Sequence, residues 1–422
     1  MRYLEIDIGG SEEHKALRES THKFAMEVLR PAGVALDALA DPARVVAKDS
    51  VLWDVFRRYH QLGLHRAMLP RAVGGMAEDL DAMSHVIVGE ELGYGDSGLA
   101  ISLGVSAMPF VLSAMVPSPR HQQLARDYAN DNEGKLIGCW AITEPDHGTD
   151  WVMGTENPAT APQVRAVRYG DEYIVNGEKS MWVSNGTIAT HAALHVGIDQ
   201  SKGMLGAGVM VLPLDLPGIS RTQPLAKLGQ RALNQGSIVF QDARVPAEYM
   251  VMSPELGVDM AQIMEPLLSR VNGGMSITFA GLARAAFDLA FQYAQDRVQG
   301  GVPIFQHQNI KLKLFRMFTL VESARAHMIR THLYNAAPPD LMPSGCHAVA
   351  GKVLSTEAAY QCAHEAVQIL GGNGLSKEYP AEKMFRDARA ALIEDGVNET
   401  LGLLAIDFLA KRCFPGGFCT AT

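Results

Sequence analysis

The sequence predicts an α+β protein that is mostly helical, and three changes of pattern along the chain support this fold class. Residues 11 to about 131 place apolar side chains at three- and four-residue intervals, which is typical of helices. From Leu136 to Pro246, short apolar stretches are separated by Gly, Asp, Asn and Pro at the spacing of strands and turns. Beyond about Leu256 the helical pattern returns in long segments. We therefore expect three domains: an N-terminal helical domain (1–135), a middle β domain (136–250) and a C-terminal helical bundle (251–422).

The composition is that of an ordinary globular protein, and it argues against several functions. At 422 residues the chain is too long for one typical core. It carries 37 basic and 46 acidic residues, a formal charge of −9, which gives a nucleic-acid role no electrostatic support. No apolar run reaches the roughly 18 residues of a membrane span. The N-terminus, MRYLEIDIGG, lacks the basic and apolar regions of a signal peptide, so we expect a cytoplasmic protein.

The cysteines and histidines show no spacing that is typical of a metal site. The five cysteines are scattered and form no CxxC pair, so we interpret them as free thiols of a reducing cytoplasm. They are Cys139, Cys346, Cys362, Cys413 and Cys419. The fourteen histidines likewise lack HExxH-type spacing. We expect no bound metal.

In the N-terminal domain the pattern predicts two apolar helices. Asp79 is a candidate N-cap for a helix that runs through Val86 and Leu92. A second helix is predicted over Leu99–Met115, and Pro117 would end it.

In the middle domain the pattern predicts short strands and one tight turn. Asn176-Gly177 favours a β-hairpin because both residues tolerate positive φ. Such a turn would return Lys179–Trp182 beside the first strand and bring Trp182–Ser184 near Trp140 and Thr143. The predicted strands include Tyr173–Val175, Ala192–Val196, Val209–Leu212 and Ile238–Phe240.

In the C-terminal domain four long amphipathic helices predict a bundle. The loops between them fall at 300–303, at 336–343 with its Pro338-Pro339 pair, and at 371–374. The predicted helices are Met260–Arg297, Gln306–Tyr334, Ala348–Leu370 and Asn398–Lys411.

The segment Gly138–Asp150, GCWAITEPDHGTD, is the strongest candidate for a functional site. An apolar strand at Leu136–Ile142 ends in the polar loop Thr143–Asp150, whose Pro and Gly exclude regular structure. The loop presents hydroxyls and backbone N–H groups beside an aromatic side chain, Trp140, as a site for a planar ligand would. An ordinary strand followed by a turn fits the same pattern.

The TEPxxGTD segment resembles the flavin-and-acyl loop of the acyl-CoA dehydrogenase family, and further matches follow in the family's order. Upstream, Pro70–Gly75 and Glu90–Leu92 fit the family's first domain. Downstream matches are GEKSMWVSNG (177–186), RVQGGVPIFQHQ (297–308), QILGGNG (368–374) and FRDARAALIEDGVNETL (385–401). The resemblance covers nearly the whole chain. It implies a middle β-barrel between a helical domain and a four-helix bundle, FAD as cofactor, an acyl-CoA substrate and an electron-transfer flavoprotein as acceptor.

The resemblance also assigns the cofactor contacts. Near the flavin it places Trp140, Ile142, Thr143, Gly148 and Thr149 on a first loop, Trp182, Val183 and Ser184 on a second, and Val397, Asn398 and Glu399 after the base position. Arg297 would face the FAD pyrophosphate, and His307 and Gln308 would lie by the adenine. In the family these three residues and Gln368, Gly371 and Gly372 reach the FAD of a neighbouring subunit, which implies a homodimer or homotetramer. The family has Phe where this chain has Gly300, which puts one adenosine-side contact in doubt.

Several of these residues also have plain structural interpretations. Trp182 fits a core aromatic, and Arg297 fits a solvated charge at a helix end. The Gln368–Gly372 segment fits a simple glycine C-cap.

The catalytic position departs from the family pattern. In the family a Glu follows the Arg-Asp-Ala tripeptide and removes the α-proton of the thioester, while the β-hydrogen passes to flavin N5 as hydride. Reading without gaps from Arg386–Ala388 places Asp395 at this position and Val397 where the family has Thr. Three alternatives stay open: Asp395 is the base, Glu394 or another carboxylate acts instead, or the reaction is absent.

The substrate contacts are less well defined. The resemblance places Thr149 and Gly396 at thioester and CoA contacts. The family has an Arg near the start of the first bundle helix. The equivalent position in this chain is Asn272, close to Arg270, so Ser269–Asn272 is a candidate pocket segment. Family members with an Asp base act on cyclic acyl-CoA thioesters or on nitroalkanes, so we favour an alicyclic or branched acyl-CoA. A flavin oxidase or monooxygenase and a non-catalytic flavoprotein are the alternatives.

Overall fold

The computed structural model describes residues 10–336 and 343–413. The first nine residues of the MRYLEIDIGG segment, most of the 336–343 loop with Pro338 and Pro339, and Cys419 lie outside the described residues. Within the described residues, helices precede and follow one main sheet, as the predicted fold class requires.

Helices make up 59% of the structure, so the predicted mostly helical fold class is confirmed. The N-terminal part begins with α1, whose N-cap Ser11 accepts a hydrogen bond from the His14 backbone N–H. A π-helical turn joins α1 to α2 at Ala25–Leu29. The helices of this part are α1 (Glu12–Phe24), α2 (Arg30–Asp37), α3 (Leu52–Gln61), α4 (Ala82–Gly95), α5 (Ser97–Ser106), α6 (Met108–Met115) and α7 (Pro119–Ala129).

The predicted N-cap of α4 is wrong by two residues. Asp81, not Asp79, accepts a hydrogen bond from the Ser84 N–H at 2.8 Å. The Asp79 carboxylate instead pairs with Arg71. Both aspartates suit an N-cap by residue type, and only the backbone path selects between them.

The predicted helix over Leu99–Met115 is two helices, because the chain turns at Ala107 between α5 and α6. Among the described residues, the segment Ser97–Met115 has the length, 19 residues, and the mean hydropathy, 1.8, of a membrane span. The prediction that no apolar run reaches this length is therefore wrong. The structure buries 56% of the segment's most apolar window inside the protein, as core helices do.

The middle part is one main sheet with its own apolar core. Its strands follow the order β6-β7-β3-β2-β4-β5-β8, and β1 pairs with β4 in parallel register. The last strand extends to Met252, two residues beyond the predicted end of this domain. The strands are β1 (Gly138–Ala141), β2 (Arg165–Tyr169), β3 (Glu172–Lys179), β4 (His191–Gly197), β5 (Ala207–Pro213), β6 (Ile219–Arg221), β7 (Ile238–Pro246) and β8 (Met250–Met252).

The hairpin predicted at Asn176-Gly177 is wrong. Both residues lie inside β3, and Gly177 (φ 129°) marks a shift in register against β7. A β-bulge and a hairpin turn both need a residue that tolerates positive φ, so the dipeptide alone does not separate them. The segment after β3 nevertheless lies beside the end of β1, since the Ser180 N–H donates to the Thr143 carbonyl at 2.8 Å.

The C-terminal part contains the four predicted helices and a fifth, α11, that the sequence analysis missed. The short strands β9 (Val298–Gln299) and β10 (Val302–Pro303) form a hairpin around Gly300 and Gly301, which both have positive φ. The glycine at position 300 therefore serves a tight turn. The helices are α8 (Met260–Asp296), α9 (Gln308–Asn335), α10 (Gly345–Leu370), α11 (Ala381–Ala391) and α12 (Asn398–Cys413).

Two glycines let α4 and α8 approach closely. A Cβ on Gly93 would lie 2.0 Å from the Thr278 carbonyl oxygen, and a Cβ on Gly281 would lie 2.2 Å from the Glu90 carbonyl oxygen. The buried Glu90 carboxylate meets Arg284 at this interface. Burial opposes its ionisation, but its arginine partners outweigh burial and lower the pKa of Glu90 to about 2. This contact attaches the N-terminal helices to the bundle.

We predict that Gly281→Ala lowers the thermal unfolding midpoint by about 2 °C or more, because overpacking against backbone costs about 1–3 kcal/mol. Gly274 is the matched control in the same helix, since a Cβ there meets nothing within 4 Å. Gly274→Ala should leave the midpoint unchanged or raise it slightly. Equal midpoints for the two variants would contradict the close approach.

Candidate active site

The first loop is anchored by a buried ion pair. The Lys179 ammonium donates to the Ile142 carbonyl at 2.8 Å and to Glu144 Oε1 at 2.7 Å. The Glu144 carboxylate also accepts from the backbone N–H groups of Gln163 and Val164. Burial lowers the pKa of Lys179 to about 8, although Glu144 opposes this change. These bonds hold the loop as it leaves β1.

The glycine end of the same loop reaches across to the bundle. The Gly148 N–H donates to Asp150 Oδ1 at 2.7 Å, and His147 pairs with the same carboxylate. The next hydroxyl, Thr149 Oγ1, accepts from the Val397 N–H at 3.0 Å. The predicted loop and the predicted base segment are therefore in direct contact.

The Trp140 side chain is bonded to His195 on β4, a residue that the sequence did not single out. The indole Nε1–H donates to His195 Nε2 at 2.8 Å, and the Trp151 ring lies edge-on to the imidazole at 4.8 Å. Burial lowers the pKa of His195 to about 3, so this side chain is neutral at physiological pH. A histidine in a predicted apolar strand was the only available signal, and it does not reveal the partner.

The second loop presents Trp182 to the outside while its neighbours are fixed. Trp182 is 53% exposed, whereas Val183 is buried. The Gln235 side-chain amide donates to the Trp182 carbonyl and to Ser184 Oγ, both at 3.2 Å. At the end of the loop Asn185, with φ 61°, donates to the carbonyls of Ser102 and Gly138 and so ties the loop to α5 and β1. Trp182 is therefore not a core aromatic.

The candidate base lies on a tight turn between α11 and α12. Asp395 and Gly396 both have positive φ, 50° and 104°. The buried Lys352 ammonium on α10 donates to the Gly396 carbonyl at 2.9 Å and to Asn398 Oδ1 at 2.7 Å. The Asn398 amide in turn donates to Thr356 Oγ1 at 3.1 Å. Burial lowers the pKa of Lys352 to about 8, and the nearby carboxylates, first Asp395, oppose this change.

The two adjacent carboxylates of this turn have different surroundings. Among the described residues no hydrogen bond reaches the Asp395 carboxylate, whereas Glu394 Oε2 accepts from the Gln230 amide at 2.8 Å. Dense surrounding protein raises the pKa of Asp395, and the Lys352 charge opposes this change. Burial raises the pKa of Glu394 to about 7. Asp395 is also accessible to solvent, so its carboxylate is the one available to a ligand.

The adenosine-side candidates lie elsewhere in the chain. Arg297 caps the C-terminus of α8, and α10 ends at Gln368–Gly371, where Gly371 has φ 62°. From Lys352 to Gln368 along α10 is roughly 24 Å at 1.5 Å per residue. The other members of this group are His307, whose Nε2 lies 3.1 Å from the Gln299 carbonyl, the exposed Gln308 at the start of α9, and the exposed Gly372. The glycine C-cap interpretation holds for Gly371, since its N–H bonds to the Gln368 carbonyl.

The candidate pocket residues on α8 differ in burial. Arg270 is exposed, and Asn272 is buried with its amide donating to the Leu268 carbonyl at 3.1 Å. Glu399, at the start of α12, is exposed. Leu268 belongs to an apolar cluster that also contains Trp151 and, partly buried, Trp140 and Ile142. The cluster places apolar surface beside the first loop.

The residues of the two loops fit a flavin. The exposed Trp182 ring offers an aromatic face close to a loop of backbone groups and hydroxyls. A Cβ on Gly148, Gly371 or Gly372 would meet nothing within 4 Å, so a dinucleotide can approach the backbone at each of them. Ser180 Oγ is buried between the loops without a partner among the described residues. Among those residues no group of His, Cys, Asp or Glu side chains is arranged to hold a metal.

Comparison with known protein families agrees with the fold. Residues 11–116, 139–243 and 260–409 match the N-terminal, middle and C-terminal domains of acyl-CoA dehydrogenases. These matches span most of the chain. The chain belongs to the acyl-CoA dehydrogenase family, and it is an enzyme of that family.

Individual relatives show the same relationship. The short-chain specific acyl-CoA dehydrogenase of Rattus norvegicus mitochondria is 30% identical over 95% of this chain and 90% of its own. The structure of butyryl-CoA dehydrogenase from Megasphaera elsdenii is 26% identical, covers 96% of this chain and 100% of its own, and superposes with a TM-score of 0.82. An active-site Asp-to-Asn mutant of nitroalkane oxidase shares the fold, with a TM-score of 0.84 over 96% of this chain and 97% of its own, at 20% identity.

We predict that Thr149→Val speeds amide hydrogen exchange at Val397 by about fivefold, because losing this hydrogen bond costs about 1 kcal/mol. Valine keeps the shape of threonine and removes only the acceptor. Thr149→Ser is the control, since it keeps the hydroxyl and should retain the protection of Val397. Unchanged exchange in the valine variant would show that the two segments are not joined by this bond.

Proposed function

We propose that the protein uses FAD to dehydrogenate an acyl-CoA thioester between its α- and β-carbons, with Asp395 as the base that removes the α-proton. The observation that carries this proposal is the position of Asp395. Asp395 is exposed, its carboxylate accepts no hydrogen bond from the described residues, and its turn is joined to the first loop by the Thr149–Val397 bond.

The surroundings of Asp395 suit proton removal. A thioester α-proton is a weak acid, so a carboxylate in bulk water removes it slowly. Dense surrounding protein raises the pKa of Asp395, which makes its carboxylate a stronger base when ionised. Lys352 limits this increase and keeps the charged form accessible. Glu394 is the less suitable base because its Oε2 is already bonded to Gln230.

The two loops would hold the cofactor and the thioester. Trp140, Thr143, Trp182 and Ser184 are the residues that we assign to the flavin. Bound FAD supplies the hydride acceptor that this reaction requires. A closed, largely apolar pocket would exclude water from the α-carbon. The apolar cluster that contains Trp151 provides apolar surface for such a pocket.

We favour an alicyclic or branched acyl group. Aspartate is one methylene shorter than glutamate, about 1.5 Å less reach, so the α-carbon must lie closer to the turn than in relatives with Glu. A ring or branch at that position brings its carbon skeleton nearer the base. The apolar cluster beside the first loop supplies apolar surface for such a group.

A homodimer or homotetramer and an electron-transfer flavoprotein complete the proposal. The resemblance assigns Arg297 and the end of α10 to the adenosine side of FAD, and Gln368 lies roughly 24 Å along α10 from Lys352 at the base turn. These adenosine-side residues suit the FAD of a neighbouring subunit. The α9 helix exposes Leu312 and Phe315, at 60% and 62%, which supplies apolar surface for such contacts.

A flavin oxidase is the second candidate, and the aspartate at the base position favours it. Rapid reoxidation of the reduced flavin by oxygen, with a nitroalkane as reductant, would support it.

An anaerobic visible spectrum tests the proposal with straight, branched and cyclic acyl-CoA thioesters added in turn. We expect the flavin absorption band to bleach, most rapidly with a branched or cyclic member. A band that no thioester changes would overturn the proposed reaction while leaving the family assignment intact.

We predict that Asp395→Asn slows flavin reduction by about 10²–10⁴-fold, the range typical of losing a general base. Asparagine keeps the size of the side chain, so FAD binding should persist and its absorption band reports it. Glu394→Gln is the matched variant on the adjacent residue and should slow the reaction far less. The reverse pattern would make Glu394 the base.

A further inference from the structure

Lys227 is bonded to the glutamine that holds the second loop, and its charge interacts with the carboxylates of Glu394 and Asp387. Its ammonium donates to Gln235 Oε1 at 2.6 Å. The other end of that amide donates to the Trp182 carbonyl and to Ser184 Oγ. Lys227 thus fixes which way the Gln235 amide points, because an ammonium can bond only to its oxygen. The amide nitrogen is then left to hold the loop.

The charge of Lys227 also faces the base turn. Glu394 and Asp387 are the carboxylates that act on it, Glu394 the more strongly. Glu394 in turn is acted on by Lys227, Asp395 and Lys352. The lysine therefore connects the neighbour of the candidate base to the loop that carries Trp182.

The segment that carries Lys227 is held tightly against α11. A Cβ on Gly229 would lie 2.2 Å from the Arg386 carbonyl oxygen. Gln230 is fully buried with φ 50°, and its N–H bonds to the Asp387 carboxylate. Backbone in this rare conformation persists only where the surroundings enforce it. The Gln230 side-chain amide also donates to Glu394 Oε2 at 2.8 Å, so the segment that carries Lys227 is bonded directly to Glu394.

We propose that Lys227 is a positioning residue that holds the second flavin loop through Gln235 and makes that loop respond to the ionisation of Glu394. This inference rests on the proposed use of FAD. When Glu394 is ionised, its charge holds the Lys227 ammonium in place, and the Gln235 amide keeps both bonds to the loop. When Glu394 is protonated, this attraction is lost and the loop is held less firmly.

The direction of the pH response follows from the two groups. Burial raises the pKa of Glu394 to about 7 and lowers the pKa of Lys227 to about 8. The fraction of the protein in which both are charged is therefore largest between these two values. Glu394 becomes neutral below this interval, and Lys227 becomes neutral above it. FAD should therefore bind most firmly near pH 7–8 and less firmly on either side.

The test measures the FAD dissociation constant and the visible flavin spectrum of the purified protein from pH 6 to pH 9, without substrate. For Lys227→Met we expect FAD to bind about tenfold more weakly at pH 7.5, equivalent to one hydrogen bond from a charged group. We also expect its pH response to be flat. Lys227→Arg, which keeps the charge, should retain the response. Lys202→Met removes an exposed lysine paired with Asp199 and should match the wild type.

Glu394→Gln keeps the experiment decisive if Lys227→Met does not fold. An amide cannot ionise, so this variant should lose the response near pH 7. The inference is overturned if Lys227→Met binds FAD within about threefold of the wild type with the same pH response. It is also overturned if Glu394→Gln keeps the response.

The outcome is separable from that of the proposed function. A response that disappears in both variants, in a protein whose flavin no thioester reduces, supports the role of Lys227 and rejects the dehydrogenase reaction. Normal reduction of the flavin by a thioester, with no effect of Lys227→Met on FAD binding, supports the dehydrogenase reaction and rejects the role of Lys227.

Discussion

The candidate site depends on the hydrogen bonds that the buried Lys352 ammonium donates. The ammonium satisfies the Gly396 carbonyl and the Asn398 side chain at once, and so it holds a turn in which two successive residues have positive φ. Asp tolerates that conformation better than most residues, but the turn still needs outside support. Because Lys352 is on α10, the position of the candidate base is set by the packing of the bundle.

The same site relies on two further lysines, each with a pKa lowered by burial. Lys179 holds the first loop through Glu144, and Lys227 holds the second loop through Gln235. A lysine that loses its water is stable only where oxygen atoms replace that water. Each lysine therefore fixes the carbonyls and carboxylates around it, which gives rigid loops without regular secondary structure.

The helices, the core strands and the sequence of motifs could be predicted because periodicity and local residue types carry that information. The four long helices of the bundle are present close to their predicted limits. The errors arose where one residue type suits two structures. Asn176-Gly177 fits a turn or a bulge, and Asp79 and Asp81 both fit a cap. His195, Lys227 and Lys352 were missed since their partners lie far away in the chain.

The sequence by itself determined the order of helices and sheet, the resemblance to one family and the aspartate at the base position, because these follow from local patterns and spacing. The tertiary structure alone decided that Glu394 is bonded to Gln230 while Asp395 is accessible. It also decided that Thr149 meets Val397, 248 residues later in the chain. Such contacts depend on how distant segments pack, and the physical reason is that burial and charge act through space.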